Sequence, residues 1–156
     1  MIKDRYLQAH ENYFKEQYPN AYRNGHYTAP KMPIVAKANG LTTFIINYLT
    51  WQGFRATRIN VSGRLVDGVE RTVSGAELRI KKWMKSSTRK GTADISATIN
   101  GRSVMIEIKV GRDRPSENQL LEQMRERKAG GIYEFCSSPE DFFILYDKIV
   151  NLYCQR

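Results

Sequence analysis

The sequence predicts an α/β protein in which a small central mixed β-sheet is flanked by helices. Three observations carry this reading. Leu41, Phe44, Ile45, Tyr48 and Leu49 recur at the i, i+3, i+4, i+7, i+8 spacing of a helix with one apolar face. Two runs of alternating apolar residues flank Asn100-Gly101, the dipeptide favoured in a two-residue type I′ hairpin. Helix-opening signals at Pro115-Ser116 and Ser138-Pro139 then stand on either side of a short β-rich run, Ile132–Cys136, so strands and helices alternate in the second half.

Residues 2–18 read as a first helix with Tyr6, Tyr13, Phe14 and Ile2 toward one side. Pro19, Gly25, Pro30 and Pro33 predict an extended or looping connection over 19–35. The second helix spans about 36–52, and Gly53 is its natural C-terminal cap. Residues 54–61, rich in aromatic and β-branched side chains and carrying Arg55 and Arg58, read as a strand. Residues 62–91 hold four glycines and a basic cluster, and predict a hairpin or mobile insertion. The Asn100-Gly101 hairpin pairs 93–99 with 102–110.

A helix then opens at Pro115-Ser116, carries Leu120, Leu121 and Met124, and stops at Gly130-Gly131. The last helix has a capping Ser138, Pro139 at its first position, and Glu140 and Asp141 in its first turn. No internal repeat or low-complexity tract interrupts this order. At 156 residues the expectation is one domain over 1–156, with 1–35 as an N-terminal helix and connection and 62–91 as a basic insertion.

Composition narrows the function classes. Hydrophobic residues make up 41% of the chain, enough for one core. Two cysteines and two histidines cannot make a zinc finger or a disulfide framework. No apolar run approaches the roughly 20 residues of a membrane helix. The mixed-charge start, Met1-Ile2-Lys3-Asp4-Arg5, is not a signal peptide, so the expected location is intracellular and cytoplasmic.

The net charge of +9 is local: residues 54–115 hold 14 basic and 6 acidic side chains, peaking at Arg79, Lys81, Lys82, Lys85, Arg89 and Lys90. Concentrated basic charge attracts a polyanion through counterion release, which raises a nucleic acid as the expected partner. A solvated basic face with no ligand has the same composition.

The hairpin carries the chemistry. A two-residue loop fixes the register, so Ile99 opposes Arg102, Ala97 opposes Val104, Ile95 opposes Ile106 and Ala93 opposes Ile108. That set is apolar and faces the core. On the other side Asp94 is expected to oppose Glu107, with Lys109 two residues further along the same face. Two carboxylates so placed have Cβ atoms about 4.5–5.5 Å apart and destabilise a sheet unless something offsets them. Lys109 offsets part. A divalent cation does so better, and Mg²⁺ suits carboxylate and phosphate oxygens, with the Lys109 ammonium beside it for charge on a phosphate. Alone, a Glu-x-Lys strand usually marks a solvated face.

Gly91-Thr92-Ala93-Asp94, then Ile106-Glu107-Ile108-Lys109, then Pro115-Ser116-Glu117-Asn118-Gln119 together resemble the PD-(D/E)xK nuclease superfamily. The likeness covers roughly residues 37–136 and is nearest to the virus-type replication-repair nucleases and the Holliday-junction resolvase-like members. It implies a restriction-endonuclease-like core of order α-β-β-β-α-β, here with an extra N-terminal and a C-terminal helix. It also implies that Asp94, Glu107 and the Ile108 carbonyl bind Mg²⁺ (with Mn²⁺ able to substitute), that Lys109 is the catalytic lysine, and that Gln119 supports the site. The implied activity is hydrolysis of DNA phosphodiester bonds by a structure-specific endonuclease of replication, repair or recombination, possible in a phage as in a cell.

The chain departs from that pattern. Ala93 stands at the family's proline, and the 36–52 helix has no Asp or Glu where many relatives carry a metal-binding glutamate; Asn39 and Gln52 offer amides, and Glu70 or Glu77 of the insertion could supply a third carboxylate. Ser116 and Gln119 also fit a capping box, an ordinary structural role. Arg112, Arg114 and Ser116 at a helix start could hold a phosphate, as could Arg58. Trp83 could stack on a base or anchor the insertion. Tyr13, Phe14 and Tyr18 read as packing residues, and Cys136 and Cys154 as small apolar fillers. Two other activities fit: a catalytically inactive nucleic-acid-binding module, and an RNA-processing nuclease. Two cuts on a symmetric junction would favour a homodimer.

Overall fold

A computed structural model describes residues 1–59, 64–73, 75–84 and 89–153. The elements in order are α1 (Ile2–Gln17), α2 (Pro19–Arg23), α3 (Ala38–Trp51), β1 (Arg55–Arg58), β2 (Arg64–Arg71), β3 (Glu77–Met84), β4 (Ile95–Ile99), β5 (Arg102–Ile108), α4 (Glu117–Lys128), β6 (Ile132–Cys136) and α5 (Pro139–Tyr153). The fold is mixed α/β. A four-stranded sheet has the order β1-β4-β5-β6, antiparallel at β1/β4 and β4/β5 and parallel at β5/β6, where α4 makes the crossover. The second sheet is a two-stranded ribbon, β2/β3, within the 62–91 insertion, so the hairpin expected there is present.

Alternation decides the faces of the main sheet. Ile95, Ala97, Ile99, Val104, Ile106 and Ile108 are buried on one side, in one cluster with Leu41, Phe44, Ile45, Tyr48 and Leu49 of α3 and Phe142, Phe143, Tyr146 and Ile149 of α5. The helix spacing of α3 thus delivers its stripe to the sheet. α1 joins through Tyr6, stacked on Phe44 at 4.4 Å between ring centres, and through Arg5, which makes a bidentate pair with Asp147 of α5 and lies 4.2 Å from the centre of the Phe143 ring.

The opposite face of the sheet is polar and is covered by α4. Ser103 of β5 donates to Glu126, and Gln123 donates to the Tyr133 carbonyl of β6. The four half-buried positions of α4 are Gln119, Glu122, Gln123 and Glu126, whereas Leu120, Leu121 and Met124 point outward. A polar sheet face selects a polar helix face, so this helix is seated inside out relative to α3 and α5.

Two boundaries differ from the sequence reading. The 19–35 connection is not wholly extended, because α2 forms at its start: Pro19 occupies the first helical position, where a missing N–H costs nothing. The first strand covers Arg55–Arg58, with Phe54 turned instead toward Tyr146 of α5, and residues 60 and 61 of the expected 54–61 lie outside the described residues. The turn Asn100-Gly101 has φ of 48° and 77°, the two positive values that a type I′ hairpin requires. Phe14 packs with Tyr18 and Tyr27, as expected of packing residues.

Candidate active site

The predicted register holds for every pair from Ile99–Arg102 to Ile95–Ile106. The ladder stops there, and the expectation of Asp94 paired directly with Glu107 is corrected. Oδ2 of Asp94 accepts the Ile108 backbone N–H at 3.0 Å, standing in for the Ala93 carbonyl that a continued ladder would present. The Asp94 carbonyl in turn accepts the Ile59 amide at 2.7 Å, which ties the residue to the end of β1. A carboxylate that replaces a ladder acceptor terminates the pairing and is fixed by it.

Glu107 sits on the polar face of β5 with 7% of its side chain exposed, and Lys109 follows on the same face with 11%. Lys109 Nζ lies 3.2 Å from a Glu107 oxygen and 3.2 Å from Asp113 Oδ2 in the following loop. Burial pushes the Glu107 carboxyl up from its ordinary range, and repulsion by Asp94 adds to this against the opposing pull of Lys109. For Lys109 burial works to lower the pKa, but its contacts with Asp113 and Glu107 outweigh this and hold it above the usual lysine range. The ammonium is therefore a fixed positive charge at neutral pH.

Gln119, in the first turn of α4, uses both ends of its amide. Its Oε1 accepts the Ser116 backbone N–H at 2.9 Å, the return half of a capping box, while its Nε2 donates to Glu107. The structural and site roles are met by one rotamer. Ser116 is the N-cap, its Oγ accepting the Gln119 amide at 3.4 Å.

Two residues that the sequence reading passed over complete the surroundings. Asp113 is the second anion on Lys109, legible only as an i+4 neighbour in a loop. Tyr133 of β6, paired with Met105 and so on the face of Glu107, is buried and donates to the Gly91 carbonyl at 2.9 Å. Burial raises its phenol, and the Glu107 and Asp94 carboxylates raise it further. Gly91, at φ 85°, presses on α4: a Cβ there would lie 2.2 Å from the Asn118 carbonyl oxygen. The return limb of the ribbon is thereby pinned to α4 and β6, helped by Arg89, 3.4 Å from Glu122.

The Asp94 and Glu107 carboxylates are hard oxygen donors of the kind that fits Mg²⁺. Among the described residues no group of three His, Cys, Asp or Glu side chains could hold a metal. Glu77 pairs with Arg71 at 3.3 Å on the ribbon, and the Asn39 amide of α3 accepts from Arg58 at 2.5 Å.

Of the predicted phosphate contacts, Arg89, Lys90, Arg112 and Arg114 are exposed on the chain either side of the hairpin. Lys81 and Lys82 are exposed on β3, opposite Asp67 and Val66. Lys85, Cys154 and the Trp83 side chain lie outside the described residues. Cys136 is buried, its thiol pushed up to about 12 by burial. No described helix is long and apolar enough to cross a membrane.

No protein-family model matches this chain, and no curated protein matches it.

Proposed function

We propose that the chain is a Mg²⁺-dependent endonuclease of the PD-(D/E)xK type, with a restriction-endonuclease-like core, that hydrolyses DNA phosphodiester bonds in branched, nicked or junction substrates. The observation that supports it best is the grouping of Asp94, Glu107 and Lys109 at one end of the β4–β5 hairpin, with Gln119 of α4 bonded to Glu107. Asp94, Glu107 and the Ile108 carbonyl would hold the cation. A bound Mg²⁺ would supply Lewis acidity toward a phosphate oxygen and an acidified water.

The rest is the work of the chain itself. Gln119 fixes the rotamer of Glu107, and the Ile108 amide fixes that of Asp94. Lys109 presents a permanent ammonium to the negative charge that develops on a phosphate under attack. Arg112 and Arg114, exposed in the loop that leads from β5 to the α4 N-terminus, would hold the backbone of a nucleic acid, and the ribbon would add Lys81 and Lys82.

Cleavage of supercoiled plasmid in Mg²⁺, Mn²⁺ or EDTA tests this, with Asp94→Asn and Lys109→Ala beside the wild type. Metal-dependent nicking that both variants lose, with DNA binding retained, is the expected result. Cleavage retained in either variant overturns the site. The absence of a three-carboxylate group among the described residues favours one second reading, a nucleic-acid-binding module without turnover. That reading predicts salt-sensitive binding and no cleavage of plasmid or junction DNA in either metal. An RNA substrate run alongside separates an RNA-processing nuclease from both.

A further inference from the structure

We propose that the outer face of α4 is a two-fold interface between two copies of this chain. Its inner face is already satisfied by polar partners: Gln119 on Glu107, Gln123 on the Tyr133 carbonyl and Glu126 on Ser103. The apolar side chains of the helix take no part in seating it. Leu120, Leu121 and Met124 are 45%, 49% and 68% exposed, a stripe of large apolar groups on one short helix.

The occupant is indicated by the order of charges along that stripe. Glu117, Leu121, Met124 and Lys128 follow at i, i+4, i+7 and i+11, the spacing of a seam that packs against another helix. Both end residues are exposed, and neither makes an ion pair among the described residues. Set antiparallel against a second copy, the seam is its own complement: Glu117 meets Lys128 of the partner, Leu121 meets Met124, and the same contacts recur in reverse order. An isologous two-fold interface demands this self-complementarity. A parallel pairing would set Glu117 on Glu117 and Lys128 on Lys128. The charges therefore select both the partner and its direction, and Leu120 widens the apolar strip along one flank.

A 12-residue helix is only about 18 Å long, so this pairing alone falls short of the ~800 Å² per partner of a standard interface. The expected dimer dissociates in the micromolar range. The inference does not rest on the nuclease reading.

Sedimentation equilibrium of the full chain from about 1 to 200 µM, at low and moderate salt, tests it. The expected result is a monomer–dimer equilibrium that Leu121→Asp abolishes and that Glu117→Lys weakens roughly tenfold, since each reversal removes two symmetry-related ion pairs. The exchanged variant carrying both Glu117→Lys and Lys128→Glu restores the dimer. All three positions are exposed, so the variants keep the fold, checked by their circular dichroism. A monomer throughout the range overturns the proposal. So does a dimer insensitive to Leu121→Asp, or one that the exchanged variant fails to restore.

Discussion

Gln119 and Glu107 are joined by a hydrogen bond in which the amide nitrogen of one donates to the carboxylate of the other, while the same amide's oxygen closes the cap on Ser116. Helix start and candidate metal ligand are therefore one mechanical unit. Gln119→Ala should cost about 1–2 kcal/mol of stability by removing both bonds, and should also slow cleavage because Glu107 loses its rotamer restraint. Ser116→Ala should cost about 1 kcal/mol and leave cleavage closer to wild type. Urea unfolding read beside plasmid nicking checks the pair; equal cleavage in both variants would remove Gln119 from the site.

Metal binding should register on stability before any turnover is measured. With Mg²⁺ at a hundredfold excess over its Kd, the folded state gains about 2.7 kcal/mol, and thermal unfolding in Mg²⁺ against EDTA should show it. Asp94→Asn should lose the response. Glu107→Gln should lose it too, yet in EDTA at neutral pH it should be as stable as the wild type or more so. The sign follows from the raised Glu107 pKa: the fold favours the neutral acid, so its contribution is present below the unfolded value and lost as pH rises through the folded one. At pH 7 the buried charge is a cost that the amide removes.

Gly91→Ala should be severe for a residue in a loop. It combines a positive φ with a Cβ 2.2 Å from a backbone oxygen of Asn118. The expected loss is about 2–4 kcal/mol, measured by urea unfolding. Cleavage should fall as well, because Asn118 adjoins Gln119.

The Arg5–Asp147 pair ties α1 to α5, and the guanidinium holds the Asp147 carboxyl below the usual carboxylate range. A depressed folded pKa contributes stability above the unfolded value, which is lost as pH falls through the folded one. Asp147→Asn should thus be less stable than wild type at pH 7, by no more than about 1 kcal/mol for so exposed a pair. The difference should vanish toward pH 2. A thermal melt at pH 7, 4 and 2 follows it.

The parts legible in the sequence are those set by local rules. Asn100-Gly101 dictates turn type and register, so every described β4–β5 pair follows from two residues. The apolar spacing of α3 places its face, and Ser116 and Ser138 mark the starts of their helices. The Asp94 geometry was not legible, because a side chain competing with a backbone carbonyl for the Ile108 amide is decided by tertiary closure rather than by alternation. The two-sided use of Gln119 is legible only when its amide is read as a separate donor and acceptor. In α4 the apolar residues have the helical period, but period alone does not say which side meets the sheet. Pro19 reads in the sequence as a breaker, whereas at a first turn it is a starter.

The short contact between the Ile59 amide and the Asp94 carbonyl brings together two residues 35 positions apart. The β2/β3 ribbon lies wholly within this interval, bracketed by that one backbone contact. Such an excursion is a cassette. Because its ends already touch, it can be shortened, lengthened or exchanged at little cost in loop-closure entropy. What the protein grips could therefore diverge while Asp94, Glu107 and Lys109 stay where they are, and a ribbon grafted from another source would be read out on an unaltered sheet.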